Sequence, residues 1–433
     1  MQSPRDPIPQ GPSASAFVLL GAGYLAVVAG IWLSPASHGG WAEGDARAYH
    51  FPIINYFMEN GFDLHYPPDL IAMFPGMHLF FAYVARGIGL AQLPVNSPAA
   101  LLIQSVFGVL LLLALYRLAL ATTRSRIAVV VLALPVISSR YVLYSWVWPT
   151  TDLGSLAFYA WMLAFLTDSP LPTPKTSIGH SVLTAASIFF RQSYAVLSLA
   201  SIANSLALAV SGRHEKLSSR AIALTLPPII VALACVAYLI AIWGSVIPPG
   251  FQRHLAGGFN IVSLVHIAAL SGLIGWPFAP ALRRLLSGRD LKTIAMIAIA
   301  IAVLCTLTVP LDFNIEAGRY NSLVWTLARS IHIHSVAAAI IGLLIALGAF
   351  LWISMIRVVC RGEDFPPELT MFALFSAGLL VQKMAWQRYV EPEMLLTFGV
   401  FFARRELDKF EAGLILAAYG IYGAISLLQI FIG

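Results

Sequence analysis

The chain has 433 residues, 59% of them apolar and 11% charged, with a mean hydropathy of +0.82. Soluble domains carry about 45–50% apolar and about 25% charged residues, so an ordinary soluble enzyme, a disordered chain, a collagen-like repeat and a disulfide-built scaffold are all excluded. The net charge of +6 and pI near 9.3 fit Lys and Arg retained in cytoplasmic loops, and with no nucleic-acid-binding motif beside them no nucleic-acid partner is expected.

From the N-terminus, Met1 to Ser15 holds a single Arg and leads into an apolar run over 16–34, longer than a signal-peptide core and read as an uncleaved first span. The following runs predict membrane segments at 70–91, 98–120, 127–147, 152–167, 178–190, 194–211, 220–243, 260–282, 293–309, 335–356, 366–382, 391–403 and 411–431. The expectation is an all-α polytopic membrane protein, a helical bundle of about 13–14 membrane segments in one transmembrane domain over 1–433. No internal repeat or linker divides it.

Basic clusters at Arg117/Arg124/Arg126, Arg213/Lys216/Arg220, Arg283/Arg284/Arg289/Lys292, Arg357/Arg361 and Arg404/Arg405/Lys409 all fall on one side, assigned to the cytoplasm, provided that 70–91 does not cross completely. Tyr66-Pro67-Pro68 and Phe74-Pro75-Gly76 break helices there and suit a re-entrant segment. The other side collects the 35–69 loop, 148–151, a break at Arg191, 244–259, 310–334 and 383–390. Cys235, Cys305 and Cys360 lie in or beside apolar segments and read as packing residues.

The polar residues of this second side are the candidates for chemistry. In the first loop a helix is expected to start at Asp45, with Gly44 before it and an apolar face of Ile53, Ile54 and Phe57 along the membrane surface. Asp45 is either a capping acid or a general base for an acceptor hydroxyl, with Glu43 as a second candidate base. His50 either assists binding or is a hydrogen-bonded structural residue. Arg191, in the middle of an apolar stretch beside Gln192, needs an anion: a lipid phosphate, or an acid such as Asp152.

Two later loops extend the set. In 310–334, Arg319, Tyr320, Trp325 and Arg329 suit sugar and phosphate recognition, or else form an interfacial helix with its aromatic belt. His332 and His334 lack a third ligand, so no metal is expected. Near the last helices Lys383 and Arg388 are phosphate-binding candidates, with Glu391 and Glu393 to neutralise them or to bind substrate, or the group is a self-paired charge cluster. Arg253-His254 and Trp148-Pro-Thr-Thr151-Asp152 join the same rim.

Tyr49-His50-Phe51-Pro52, Phe74-Pro75-Gly76 ahead of an apolar helix, Phe190-Arg191-Gln192-Ser193, and Arg319-Tyr320 through Trp325 and Arg329 resemble the GT-C glycosyltransferases, and within them the dolichyl-phosphoglucose-dependent α-1,2-glucosyltransferases of N-glycan precursor assembly. The family's acidic pair precedes the His by four and three positions, whereas Asp45 precedes His50 by five and position 46 is Ala. The resemblance implies a polyprenyl-phosphate-sugar donor, glucose favoured, a glycan or glycolipid acceptor, and inversion at C1 on the extracytoplasmic face. It also implies an acid of the first loop as base and Arg191, with Arg319, on the lipid phosphate. No cofactor is expected; some GT-C enzymes use a divalent ion. The small size points to a bacterial inner membrane, with the site facing the periplasm and membrane lipids as surroundings. The alternatives are a transporter or flippase for a polyprenyl-linked or other anionic substrate, and an acyltransferase using His50 or His254.

Overall fold

The structure is a computed structural model that describes residues 11–34, 41–62, 73–123, 125–169, 171–210, 218–251, 259–309, 322–331, 333–361, 366–381 and 387–432. Among the described residues every regular element is helical. In the first half these are α1 (Gly11–Leu33), α2 (Trp41–Asp45), α3 (Phe51–Asn60), α4 (Gly76–Gly87), α5 (Pro98–Thr122), α6 (Arg126–Ile137), α7 (Arg140–Val147), α8 (Thr151–Asp168), α9 (Pro174–Phe190) and α10 (Ala200–Val210). The second half adds α11 (Ser219–Ala223), α12 (Leu226–Trp243), α13 (Val262–Gly275), α14 (Ala279–Leu285), α15 (Gly288–Thr308), α16 (Leu323–Ser330), α17 (His334–Val359), α18 (Pro367–Leu379), α19 (Glu391–Ala403) and α20 (Lys409–Ile432).

Among the described residues, seven helical stretches are long and apolar enough to cross a membrane, or eight if α6 and α7, bent by 69° at Ser138-Ser139, count as one span, fewer than the 13–14 segments expected. The shorter runs at 178–190, 366–382 and 391–403 form helices of 17, 13 and 13 residues, and α8 has 18. At 1.5 Å per residue a 13-residue helix covers only about 20 Å, short of a hydrocarbon core of about 30 Å. Position explains the difference in composition. The long α15 leaves Ile299, Val303, Leu304 and Leu307 exposed, whereas α19 is buried at every residue. Apolar side chains around the full circumference of a short helix mark the protein's own core.

The helices run between two ends of one bundle, and the polar contacts show which residues share an end. At one end the basic clusters meet acids: Arg117 with Asp168 (2.8 Å), Arg404 with Glu368 (3.1 Å), Arg284 with Glu411 (2.8 Å), and Arg357 with Asp290 (3.0 Å). Thr167 also accepts from Arg404, which ties two of these pairs together. At the other end lie Asp152 at the start of α8, Arg191 after α9, and Glu391 and Glu393 at the start of α19. Arg117, Arg284, Arg357 and Arg404, from four of the five predicted basic clusters, are thus paired with acids, while Arg124, Arg213 and Lys216 lie outside the described residues.

The entry into the bundle follows the same logic. Phe17 in α1 packs on Tyr116 (ring centroids 5.2 Å) near the basic end, and Trp32 lines a cleft with Trp148 near the other. Described residues of α3 and of the turn before α5 meet at that same end. Asn55 of α3 accepts a hydrogen bond from the Leu93 backbone (2.7 Å), and Ser97, which caps α5, lines the same cleft as Phe51. Between these points α4 has only 12 residues. At 1.5 Å per residue it covers about 18 Å, short of a hydrocarbon core, while Tyr66-Pro67-Pro68 lies outside the described residues.

Close helix crossings use glycine where a side chain would not fit. A Cβ on Gly348 of α17 would lie 1.8 Å from the Ala268 carbonyl oxygen of α13, and one on Gly272 would lie 2.0 Å from that of Leu344. The two backbones meet there directly, a contact that small residues permit in apolar surroundings.

Candidate active site

The first outer segment is one helical run with a defect in it. The helix starts at Trp41, ahead of the expected start at Asp45, so Asp45 ends α2 instead of capping it. Ala46–His50 then forms a π turn, closed at i→i+5 instead of i→i+4, before α3 continues from Phe51. Five residues from Asp45 to His50 thus span a single turn. The face of Ile53, Ile54 and Phe57 packs inward, each at most 2% exposed, and does not lie on a membrane surface. Glu43, the second candidate base, is buried and accepts from Arg47 one turn later (2.6 Å).

Asp45 instead reaches across the fold. Its Oδ2 accepts from Arg388 Nη1 at 2.6 Å. The Arg388 guanidinium also donates to the Tyr389 hydroxyl (3.0 Å) and lies 4.9 Å from the centre of that ring. Arg191 sits over the same ring at 4.0 Å and pairs with Asp152. Two acids and two guanidiniums are thereby gathered on one tyrosine, from α2, α8, the break after α9 and the turn before α19. Cation–π contact and ion pairing together offset the cost of burying two permanent charges.

Local structure places each of these groups. Arg191 follows the last turn of α9 in extended conformation (φ −155°, ψ 108°), its amide still bonded to the Ser187 carbonyl (2.7 Å). Asp152 occupies the first turn of α8. A cation at a helix C-terminus and an anion at an N-terminus both complement the helix dipoles. The start of α4 closes on this point: Phe74 packs on Phe189 (4.7 Å), and a Cβ on Gly76 would meet the Phe189 carbonyl oxygen at 2.6 Å.

The two ion pairs differ in access. Arg191 and Asp152 have side chains only 9% and 8% exposed, while Arg388 and Asp45 are 19% and 33% exposed. The first pair matches the expectation of an acid such as Asp152 as the anion that Arg191 requires; the second faces the open edge. Burial works against the charge on Arg388, but Tyr389, Asp152 and Asp45 outweigh it and hold its pKa above the ordinary arginine value. It is a fixed cation.

His50 is held beneath Asp45 by a second imidazole. Its Nδ1 lies 2.8 Å from His78 Nε2, with the rings stacked at 5.1 Å. Burial lowers its pKa to about 4, against the pull of Asp45 and Asp152 and with a smaller push from Arg388. His50 is therefore neutral near pH 7 and structural in its contacts.

The remaining described candidates have partners of their own. Glu391, expected beside Arg388, is fully buried and accepts from Gln387 and from Tyr422 (2.7 Å). Gln387 in turn accepts from the Leu323 backbone at 2.6 Å, which anchors α16. Glu393 accepts from Tyr194. Trp325 is 3% exposed and stacked on His266 (5.4 Å), so its face is already covered. Arg329 is exposed and donates to the Trp325 carbonyl within α16 (3.3 Å). Gln192 opens the helical turn that follows Arg191. Arg319, Tyr320, Arg253, His254, His332 and Lys383 lie outside the described residues.

Sequence reasoning gave no role to Tyr389, His78 or Tyr194. A tyrosine adjoining Arg388 and a lone histidine in the apolar α4 were the available signals. Among the described residues no group of three or more His, Cys, Asp or Glu stands close enough to hold a metal ion. No family model matches the chain, and neither a curated protein nor a solved structure registers as similar to it.

Proposed function

We propose that the protein is an inverting glycosyltransferase that takes a hexose, glucose favoured, from a polyprenyl-phosphate donor and places it on a glycan or glycolipid acceptor. The observation that carries this reading is the Asp45–Arg388 pair beside the Tyr389–Arg191 stack: an accessible carboxylate within reach of cations suited to a phosphate. The π turn adds to it. One extra residue in the Asp45–His50 spacing is absorbed by a turn one residue wider, so the acid stands a single turn before the histidine, as in the family that the sequence resembles.

In this mechanism the donor's phosphate exchanges with Asp45 as the partner of Arg388. Arg388 then holds the phosphate through charge-assisted hydrogen bonds, and Arg191, fixed by Asp152, adds positive potential from behind the Tyr389 ring. Asp45, released from its pair, accepts the proton of the acceptor hydroxyl as that oxygen attacks C1. The C1–O bond to phosphate breaks with inversion, and the lipid phosphate departs on Arg388. The buried Arg191–Asp152 pair keeps the site's shape throughout.

The test is transfer of radiolabelled hexose from polyprenyl phosphate to a membrane lipid extract by purified protein. Asp45→Asn is expected to lower turnover by about 10²–10⁴-fold, the range for loss of a positioned base, while donor binding persists. Arg388→Gln is expected to weaken donor binding as well as turnover. A donor that binds yet never turns over with any sugar or acceptor would sink the transferase and favour transport of the lipid.

A further inference from the structure

α9 and α10 turn their polar side chains inward. Of the six residues that α9 buries, four are Ser177, His180, Thr184 and Ser187, while Ile178 and Val182 face outward at 67% and 63% exposure. α10 repeats the pattern, with Ser201 and Ser205 buried and Leu206 and Val210 exposed. Spacings of three, four and three residues set the α9 group on one helix face, and Arg191 follows four residues on. The chain reverses at Arg191 and the two faces meet, with His180 Nδ1 hydrogen-bonded to Ser201 Oγ. α9 begins six residues past Asp168, at the end where that acid pairs with Arg117, so the polar seam leads from there toward the charged cluster.

The seam is not satisfied by its own contacts. Ser177 Oγ, His180 Nε2 and Thr184 Oγ1, on three successive members of the face, are buried with no hydrogen-bond partner among the described residues. In apolar surroundings each such atom costs several kcal/mol. Packing of two polar helices accounts for the His180–Ser201 bond and leaves these three atoms over. Past the turn stands a fourth. Glu393 is 3% exposed; its Oε1 accepts from Tyr194, three residues beyond Arg191, and its Oε2 has no partner among the described residues. The charges of Arg191 and Asp152 both reach it.

We propose that a file of water occupies the seam between α9 and α10 and, with His180 as its relay, carries protons from the Arg117–Asp168 end to the carboxylate of Glu393. Water answers the pattern of unpaired atoms, because it both donates and accepts and, when buried, makes about three hydrogen bonds to groups of this kind. Ser177 to Ser187 covers about 15 Å of helix axis, a short file. An imidazole buried in a membrane protein's interior suits a proton relay. In the tautomer with its proton on Nδ1, His180 takes a proton from water at Nε2. Nδ1 then gives its proton to Ser201 Oγ, whose own hydroxyl proton passes to the next water toward Thr184. The ring ends neutral, and exchange between its tautomers resets it. The last water gives its proton to Oε2 of Glu393, which becomes a neutral carboxylic acid. None of this rests on the transferase reading.

The experiment uses the full chain in lipid nanodiscs and follows the infrared carbonyl stretch of protonated carboxyl groups after a jump from pH 8.5 to pH 4.5. The part of the signal that is absent in Glu393→Gln reports Glu393. Its protonation is expected to slow about 10²-fold in His180→Phe, the contribution of one positioned proton carrier. A slowing of about tenfold is expected in Thr184→Val, which keeps the shape and removes one hydroxyl from the file. Val182→Leu, on the outward face, is expected to leave the rate unchanged. Should His180→Phe fail to fold, as judged by size exclusion, Thr184→Val decides. An unchanged rate in either folded seam variant would show that protons reach Glu393 from its own end of the bundle, and would overturn the proposal. So would a Glu393 carboxyl that gives no signal across this range, since it could not then be the acceptor.

Discussion

At the scale of single residues, the site is a problem of keeping charges and neutral rings apart. His50 and His78 share one hydrogen bond between two ring nitrogens, which requires one nitrogen to donate and the other to accept. Protonating both rings destroys that arrangement and places charge in a buried position near Arg388. The pKa of His50 is lowered to about 4, so in acid the unfolded chain takes up the proton before the folded one does. Stability is therefore full above the unfolded value near 6.5 and is lost as the pH falls from there toward 4, by about 3 kcal/mol for this group alone. Thermal unfolding in detergent at pH 7.5 and pH 5 is expected to show a clear fall in wild type and a smaller one in His50→Gln. An equal fall in both would show that His50 is not the group responsible. The charged residues were legible in the sequence because charge is rare there, and Asp152 stood among the possible anions for Arg191. Asp45 and Arg388 are 343 residues apart, and nothing local announces that pairing.

The elements show what local rules missed. Gly44 before Asp45 reads as a helix boundary, yet the helix runs through both, because burial of Ala42, Ala46 and Phe51 along one side outweighs the propensity of one glycine. The π turn is invisible to a 3.6-residue period, since it is an insertion into that period. If it exists to hold Asp45 one turn from His50, deleting one exposed residue within it should convert it to ordinary α-helix and keep both on one face. Deletion of Ala48, which is exposed, is expected to leave transferase activity within about tenfold of wild type, whereas deletion of Met58, which is buried in α3 beyond the turn, should abolish folding. Activity measured beside a size-exclusion profile of each variant checks this. Loss of activity in a well-folded Ala48 deletion would show that the wide turn itself matters, not the spacing it restores. The break at Arg191 was legible for the opposite reason: a guanidinium inside an apolar run forces a local exception.

For the whole molecule, the sequence expectation that all basic clusters share a side depended on a segment that turns back. The structure pairs Arg117, Arg284, Arg357 and Arg404 with acids and sets Leu93 beside Asn55 of α3, which bears on that argument but does not place either group relative to a membrane. Hydropathy alone overcounted the spans because inner helices such as α19 are as apolar as outer ones, and only burial distinguishes them. The arrangement makes a definite prediction about access. With Cys235, Cys305 and Cys360 replaced by alanine, single cysteines at the exposed positions Ala48, Gln92, Lys175 and Lys292 can be probed with a membrane-impermeant maleimide. Positions 48 and 92 are expected to react from one face of the membrane and 175 and 292 from the other, with the basic face on the cytoplasmic side. Labelling of 92 together with 292 would mean that α4 crosses completely, and the proposed phosphate site would then lose the face that Asp45 is expected to share with the turn at Gln92. Labelling of 48 and 92 together from the cytoplasm would keep the site whole but reverse its orientation, and an extracytoplasmic lipid-linked donor could no longer reach Asp45.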